Sequence, residues 1–176
     1  DHIGAYLYPE ELWWRVAGRL TFPIFIFLVG HALTYRTKRD AWLWAVVLMV
    51  LSPVLGGEIF PLNALVTIII CQALLVQVEK RGWWENCPGT LLAGCVVLWF
   101  PTYVLTEYGA VGFLFALMGY AVRSGKLHTR AGYAVMLLAA LGFVGSMSLS
   151  FEFTPVQMLC VAAEIILATL LLARFT

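Results

Sequence analysis

Apolar residues run in long blocks along this chain, and polar residues gather at the seams between them. Seven blocks stand out: Leu12–Tyr35, Ala41–Gly56, Pro61–Val78, Gly89–Thr106, Gly109–Val122, Ala131–Ser148 and Pro155–Ala173. A helix needs about 20 mainly apolar residues to cross a bilayer. The pattern therefore predicts an all-α, polytopic transmembrane helix bundle, a single domain over residues 1–176 with seven complete spans. The second and fifth blocks are short and must thin the bilayer locally or borrow flanking residues. Pro9 followed by Glu10 and Glu11 is a helix start, with proline in the first turn and acids at the positive end of the dipole. Pro155 opens the last block in the same way, whereas Pro23 and Pro101 fall inside blocks and predict kinks. The apolar turn Ile3 to Leu7 precedes the first block, so residues 1–8 are expected to be the outer end of a helix whose body precedes Asp1.

Composition sharpens the membrane reading. The chain is 62% hydrophobic and 12% charged, against about half apolar and about a quarter charged in soluble domains. Its formal net charge of +1 says little about partners, and nothing in it resembles a nucleic-acid-binding patch. The placement of charge says more. Arg36, Lys38 and Arg39 follow the first block, Lys80 and Arg81 the third, Arg123, Lys126 and Arg130 the fifth, and Arg174 ends the seventh. The alternate connections hold Asp1, Glu10, Glu11, Glu58, Glu107 and Glu152 instead. By the positive-inside rule the basic side is cytoplasmic, which predicts a multi-pass protein of a bacterial inner membrane with its C-terminus inside and Asp1-His2 facing out. Trp13 and Trp14 mark the outer boundary, and Trp42, Trp44, Trp83 and Trp84 the inner one.

Few side chains in this background can do chemistry. Arg15 and Arg19 are four apart and share a helix face. They either snorkel to headgroups and pair with Glu10 and Glu11, or form an anion clamp. His2 beside Asp1 is either a general base with an orienting carboxylate or an ordinary polar helix end. Glu107-Tyr108-Gly109 predicts a tight outer turn, and Ser146, Ser148 and Ser150 approach the same face. An outer polar cluster built from helix ends distant in sequence is the expectation. Asn63, Thr67 and Gln72 place polar groups on the third block, where helix–helix hydrogen bonding suffices to explain them. His31 near the inner end of the first block reads as structural. Glu164, at the centre of the last block, must be protonated, paired or facing a wet cavity; a carrier role through it lacks the paired half-helices of known carriers. Cys71, Cys87, Cys95 and Cys160 have no metal-ligand or redox spacing, so neither a metal site nor a disulfide is expected.

Asp1-His2-Ile3-Gly4, then Arg15-x-x-Gly18-Arg19-x-x-Phe22-Pro23-Ile24-Phe25-x-Phe27-Leu28, resembles the opening signature of the TraX family. Thr37-Lys38-Arg39, Ser52-Pro53, Leu62-Asn63-x-x-x-Thr67, and Glu107-Tyr108-Gly109 with Gly112 and Gly119-Tyr120 resemble its later motifs in order. The likeness runs from Asp1 to about Arg123. It implies an inner-membrane acyltransferase that takes acetyl-CoA or another acyl-CoA as donor and acylates an amine or hydroxyl at the outer face, on a pilin-like protein N-terminus or an envelope glycan. The residues it implies for catalysis are His2, Asp1, Arg15, Arg19, Glu107 and Tyr108. Arg36, Lys38, Arg39, Asn63 and Arg123 are the candidates for holding the donor. Glu107 stands where the family more often has Asp, and His31 where many members have Glu. The second of these keeps open an alternative, a non-catalytic TraX-like subunit packed in a larger membrane complex.

Overall fold

A computed structural model of the chain describes residues 12–34, 39–54 and 62–175, apart from the side chains of Arg15 and Ser52. The described residues form ten helices: α1 (Trp13–Gly18), α2 (Thr21–Ala32), α3 (Arg39–Val54), α4 (Ala64–Arg81), α5 (Trp83–Asn86), α6 (Pro88–Val97), α7 (Trp99–Leu105), α8 (Gly109–Arg123), α9 (Arg130–Ser150) and α10 (Pro155–Leu172). No strand occurs among them. An isolated parallel bridge joins Leu62 to Thr106.

The prolines act where the sequence puts them. The fourth block is two helices, α6 and α7, bent by 53° about Leu98. Pro101 has no N–H to offer the carbonyl four residues back and its ring crowds that turn, so the bend falls just before it. The first block breaks at Arg19 and Leu20, with Pro23 in the first turn of α2. The last helix opens on Pro155 behind a capping box in which Thr154 and Gln157 satisfy each other's backbone N–H groups.

By length and composition, α9 and α10 can each cross a membrane, and the bent pair α6–α7 makes a third span if it counts as one. Val16–Ala32 and α8 are apolar but shorter. The 18-residue α4 ends in Glu79, Lys80 and Arg81. Large apolar side chains lie exposed on α3, α7, α9 and α10, as a lipid-facing bundle requires.

The bundle is built around α8, which is buried from Gly109 to Ala121. Its small residues, Gly112, Ala116 and Gly119, rather than its apolarity, fit it to the centre. Small residues let its neighbour approach to backbone contact. A Cβ on Gly119 would sit 2.1 Å from the Phe27 carbonyl oxygen, and one on Gly30 only 1.9 Å from that of Ala116. Phe22 lies beside Gly112 and Phe27 beside Gly119, so α2 and α8 run in the same direction.

Polar side chains tie off the helix ends. Leu33 ends α2 with a left-handed φ of 37°. Arg123 donates to the carbonyl oxygens there, closest to that of Ala32 at 2.7 Å. Gln72 donates to the Thr34 carbonyl oxygen at 2.9 Å and to its hydroxyl. Gly82 ends α4 at φ 60° and turns the chain so that Trp84 is buried against Tyr120, ring centroids 6.0 Å apart. Trp84 thus packs inside the bundle, whereas Trp42 and Trp44 are exposed as a boundary belt would be. His31 is half-buried between the rings of Phe27 and Phe175, a packing role. All four cysteines are free thiols.

Candidate functional site

The turn after α7 is the local feature from which the site grows. Leu62 and the turn exchange backbone hydrogen bonds, Leu62 N to Leu105 O at 2.9 Å and Glu107 N to Leu62 O at 3.0 Å. The Thr67 hydroxyl donates to the Glu107 carbonyl oxygen at 2.8 Å, fastening α4 to the same turn. Tyr108 and Gly109 follow with positive φ of 63° and 39°. Glycine is needed at 109, because a Cβ would lie 2.6 Å from the Thr102 hydroxyl, which itself accepts the Ala110 N–H at 2.8 Å. Tyr108 bears the left-handed strain with a side chain attached, at a cost of order 1–2 kcal/mol. Such strain persists only where the surroundings over-determine it. Here the three-way fastening to Leu62, Thr67 and Thr102 does so.

The turn aims the Tyr108 ring at the α1–α2 joint. It stacks on Phe22, centroids 3.8 Å apart and 8° from parallel. Its hydroxyl accepts a hydrogen bond from Arg19 Nη1 at 3.4 Å. The Arg19 guanidinium lies 4.3 Å over the Phe151 ring, at the far end of α9. The break before Pro23 places Arg19 between helices, where its side chain can reach both aromatic partners.

These residues line a cavity of about 890 Å³ together with Tyr103, Thr106, Glu107, Ser146 and Ser150. Its hydroxyls are held in order. Tyr103 and Ser150 share a hydrogen bond of 2.8 Å, Ser150 also donates to the Ser146 carbonyl oxygen at 2.9 Å, and the Trp99 indole N–H donates to the Ser146 hydroxyl at 3.2 Å. A cation, two phenols, two serine hydroxyls, Thr21, Thr106 and Glu107 thus line one space whose remaining walls are mostly apolar. Such a space can orient a polar reacting group and stabilise negative charge that develops on an oxygen.

Of the predicted catalytic residues, Arg19, Glu107 and Tyr108 come together at this cavity. Asp1 and His2 lie outside the described residues, as does the side chain of Arg15. Ser146 and Ser150 join the cluster, whereas Ser148 is exposed and donates to the Gly145 carbonyl oxygen. Sequence reasoning assigned no role to Tyr103 or Phe151. Tyr103 carried a signal, an aromatic hydroxyl beside Thr102 and Thr106 at a helix end; Phe151 carried none.

None of the predicted donor contacts among the described residues lines this cavity. Arg36 and Lys38 lie outside the described residues. Arg39 is exposed at the start of α3. Asn63 caps α4, accepting from Val66 N at 3.2 Å and donating to the Ala45 carbonyl oxygen at 3.1 Å, so its amide is spent on helix joining. Arg123 sits at the other end of α8 from Tyr108, about 22 Å along a 15-residue helix. Among the described residues no group of three or more His, Cys, Asp or Glu could hold a metal ion.

The sequence matches the family model described as TraX protein over residues 1–173. Two relatives are an uncharacterised protein of Rickettsia prowazekii and Protein TraX of Escherichia coli. The first is 25% identical over 134 residues, covering 74% of this chain and 53% of that protein. The second is 24% identical over 156 residues, covering 85% of this chain and 60% of that one. The chain therefore spans little more than half the length of either. No solved structure matches it. The family match runs almost from end to end and includes every residue of the cavity, and on that ground the chain belongs to the TraX family.

Proposed function

We propose that this chain is a membrane-embedded acyltransferase whose transfer site is the cavity at Arg19 and Tyr108. The observation that carries this reading is convergence: Arg19 from the α1–α2 joint, Tyr103 from α7, Tyr108 from the turn before α8, and Ser146 and Ser150 from α9 line one space in a largely apolar bundle. Polar groups within a membrane are costly and are expected to serve a function. The acceptor amine or hydroxyl attacks the thioester carbonyl of acyl-CoA, and His2, oriented by Asp1, takes its proton. The carbonyl oxygen becomes negative and draws on Arg19 and the Tyr108 hydroxyl. The thiolate then leaves and receives the proton as the free CoA thiol. Arg123, at the far end of α8 from Tyr108, offers a cation for the donor's phosphates, and Arg36, Lys38 and Arg39 are further candidates by sequence, so the thioester must reach along α8. This requires the seven-span arrangement in a bacterial inner membrane with the basic connections and the C-terminus inside. The alternation of Lys and Arg along the sequence supports it. The acceptor is then a pilin-like N-terminus or an envelope glycan at the outer face.

Transfer of radiolabelled acetyl from acetyl-CoA to a pilin N-terminal peptide or to envelope glycan, by purified protein in proteoliposomes, tests the reading. A general base is worth about 10²–10⁴ in rate, so His2→Ala should lose nearly all transfer with the fold intact. Equal rates for wild type and His2→Ala remove His2 from the mechanism, and no transfer by wild type to either acceptor class removes the enzyme.

A further inference from the structure

Tyr103 and Tyr108 both bring a phenol to the large cavity, but their hydrogen bonds run in opposite senses. Tyr108 accepts from Arg19 Nη1 at 3.4 Å, and its own hydrogen makes no bond among the described residues. Tyr103 lies 2.8 Å from the Ser150 hydroxyl, a contact in which either oxygen is able to donate. Ser150 fixes which one does. Its oxygen is 2.9 Å from the Ser146 carbonyl oxygen, which has no hydrogen to give, so the single Ser150 hydrogen points there. Bonding back to the carbonyl four residues earlier is a common habit of serine in a helix. The hydrogen between Tyr103 and Ser150 is then Tyr103's own, and the Tyr103 oxygen keeps only lone pairs for the cavity. Thr106, three residues on, is in the same state, because its hydroxyl donates to the Thr102 carbonyl oxygen at 3.0 Å.

The cavity therefore carries two unlike sets of polar groups. Arg19, Tyr108 and the buried Ser146, whose oxygen takes the Trp99 N–H, are able to donate. Tyr103, Ser150 and Thr106 are left to accept, and Glu107 adds a carboxyl group beside Thr106. Acyl transfer uses both sets. The oxyanion that develops on the donor's carbonyl draws on hydrogens. The acceptor molecule brings hydrogens of its own, and the general base removes one of them. We infer that Tyr103 takes a hydrogen bond from one that stays: the second N–H of an amine, or the hydroxyl beside the one acylated on a sugar. That bond fixes the direction in which the nucleophile's lone pair faces. Ser150 is a positioning residue that holds Tyr103 in its accepting state. The inference rests on the acyl-transfer reading of the cavity and adds to it the residue that orients the acceptor.

The test uses the full chain in proteoliposomes, acetyl-CoA, and matched pairs of acceptors. One pair is a pilin N-terminal peptide with a free or an N-methylated amine; the other is an envelope glycan whose neighbouring hydroxyl is free or methylated. The methylated member keeps the hydrogen that transfer removes and lacks the one assigned to Tyr103. With whichever pair the wild type acylates, methylation should lower kcat/KM about tenfold, the worth of one hydrogen bond. Tyr103→Phe keeps the ring and removes the oxygen. It should treat the two members alike and leave KM for acetyl-CoA unchanged, a split that a merely loosened fold does not produce. Ser150→Ala should weaken the discrimination, and Ser150→Thr, whose hydroxyl also bonds the carbonyl four residues back, should restore it. Equal kcat/KM for both members in the wild type, or undiminished discrimination in Tyr103→Phe, overturns the inference and leaves acyl transfer standing. Discrimination that survives Tyr103→Phe and is lost in Glu107→Gln also overturns it, because the role is then Glu107's. If the wild type acylates neither pair, the transfer reading falls and the inference falls with it.

Discussion

Arg19 donates to the hydroxyl of Tyr108 across 3.4 Å, although 89 residues separate them in the chain. Each is held by a second aromatic contact, Arg19 over Phe151 and Tyr108 on Phe22. The pair is thus positioned by packing and joined by a polar bond.

Tyr108→Phe separates these contributions. The ring still stacks on Phe22, so stability should fall by only about 0.5–1.5 kcal/mol, the net value of one hydrogen bond. If the hydroxyl stabilises the developing oxyanion, acetyl transfer should fall about 10²–10³-fold. Thermal unfolding in detergent and the radiolabel assay, run on the same preparation, read the two effects.

Gly119→Ala should be far more damaging than its size suggests. The added carbon would lie 2.1 Å from the Phe27 carbonyl oxygen, a backbone atom that cannot rotate away. Overpacking of this kind costs about 1–3 kcal/mol. Gly94→Ala, where a Cβ meets nothing within 4 Å, is the matched control and should raise stability by about 0.5–1 kcal/mol, because alanine is the better helix former.

Arg123→Ala removes a cation from the carbonyl end of α2 and should cost about 1–2 kcal/mol of stability. Arg123→Lys retains the charge and should recover part of it. Faster hydrogen exchange near Ala32–Thr34 in the alanine variant would locate the effect. If Arg123 also holds donor phosphates, KM for acyl-CoA should rise as well.

The Glu85–Lys126 ion pair, between connections outside the long helices, sets a pH dependence. The hydrogen bond from Lys126 holds the Glu85 carboxyl below its ordinary 4.5. Its contribution is therefore full above 4.5 and lost as pH falls through the lowered folded value. The same bond raises Lys126 above its ordinary 10.5, so that contribution is full below 10.5 and lost as pH rises through the raised value. Glu85 is 48% and Lys126 31% exposed, so solvent screening limits the pair to about 0–1 kcal/mol. Glu85→Gln should flatten the acid limb of an unfolding-temperature profile and leave neutral pH nearly unchanged.

Much of the helical order was legible along the chain. Pro101 announced the α6–α7 bend, Pro155 the start of α10, and Glu107-Tyr108-Gly109 the tight turn, because each acts through backbone geometry within a few residues. That Trp84 is buried was not legible, since what covers it is Tyr120, 36 positions away in sequence. Asn63 and Arg123 show the same dependence: their hydrogen bonds to the Ala45 and Ala32 carbonyl oxygens join residues 18 and 91 positions apart, which no local spacing announces.

The amino-acid sequence alone determined the all-α class and the concentration of polar groups at helix ends, because long apolar blocks leave the backbone no partner but itself. Only the tertiary structure decided that Arg19 meets Tyr108 and that Glu164 makes no hydrogen bond or ion pair among the described residues. Those outcomes depend on how α2 and α8 close on each other through Gly30 and Gly119, and on which face α10 turns to the bundle. Such relations are set by the shapes of several helices at once, and no local spacing along the chain encodes them.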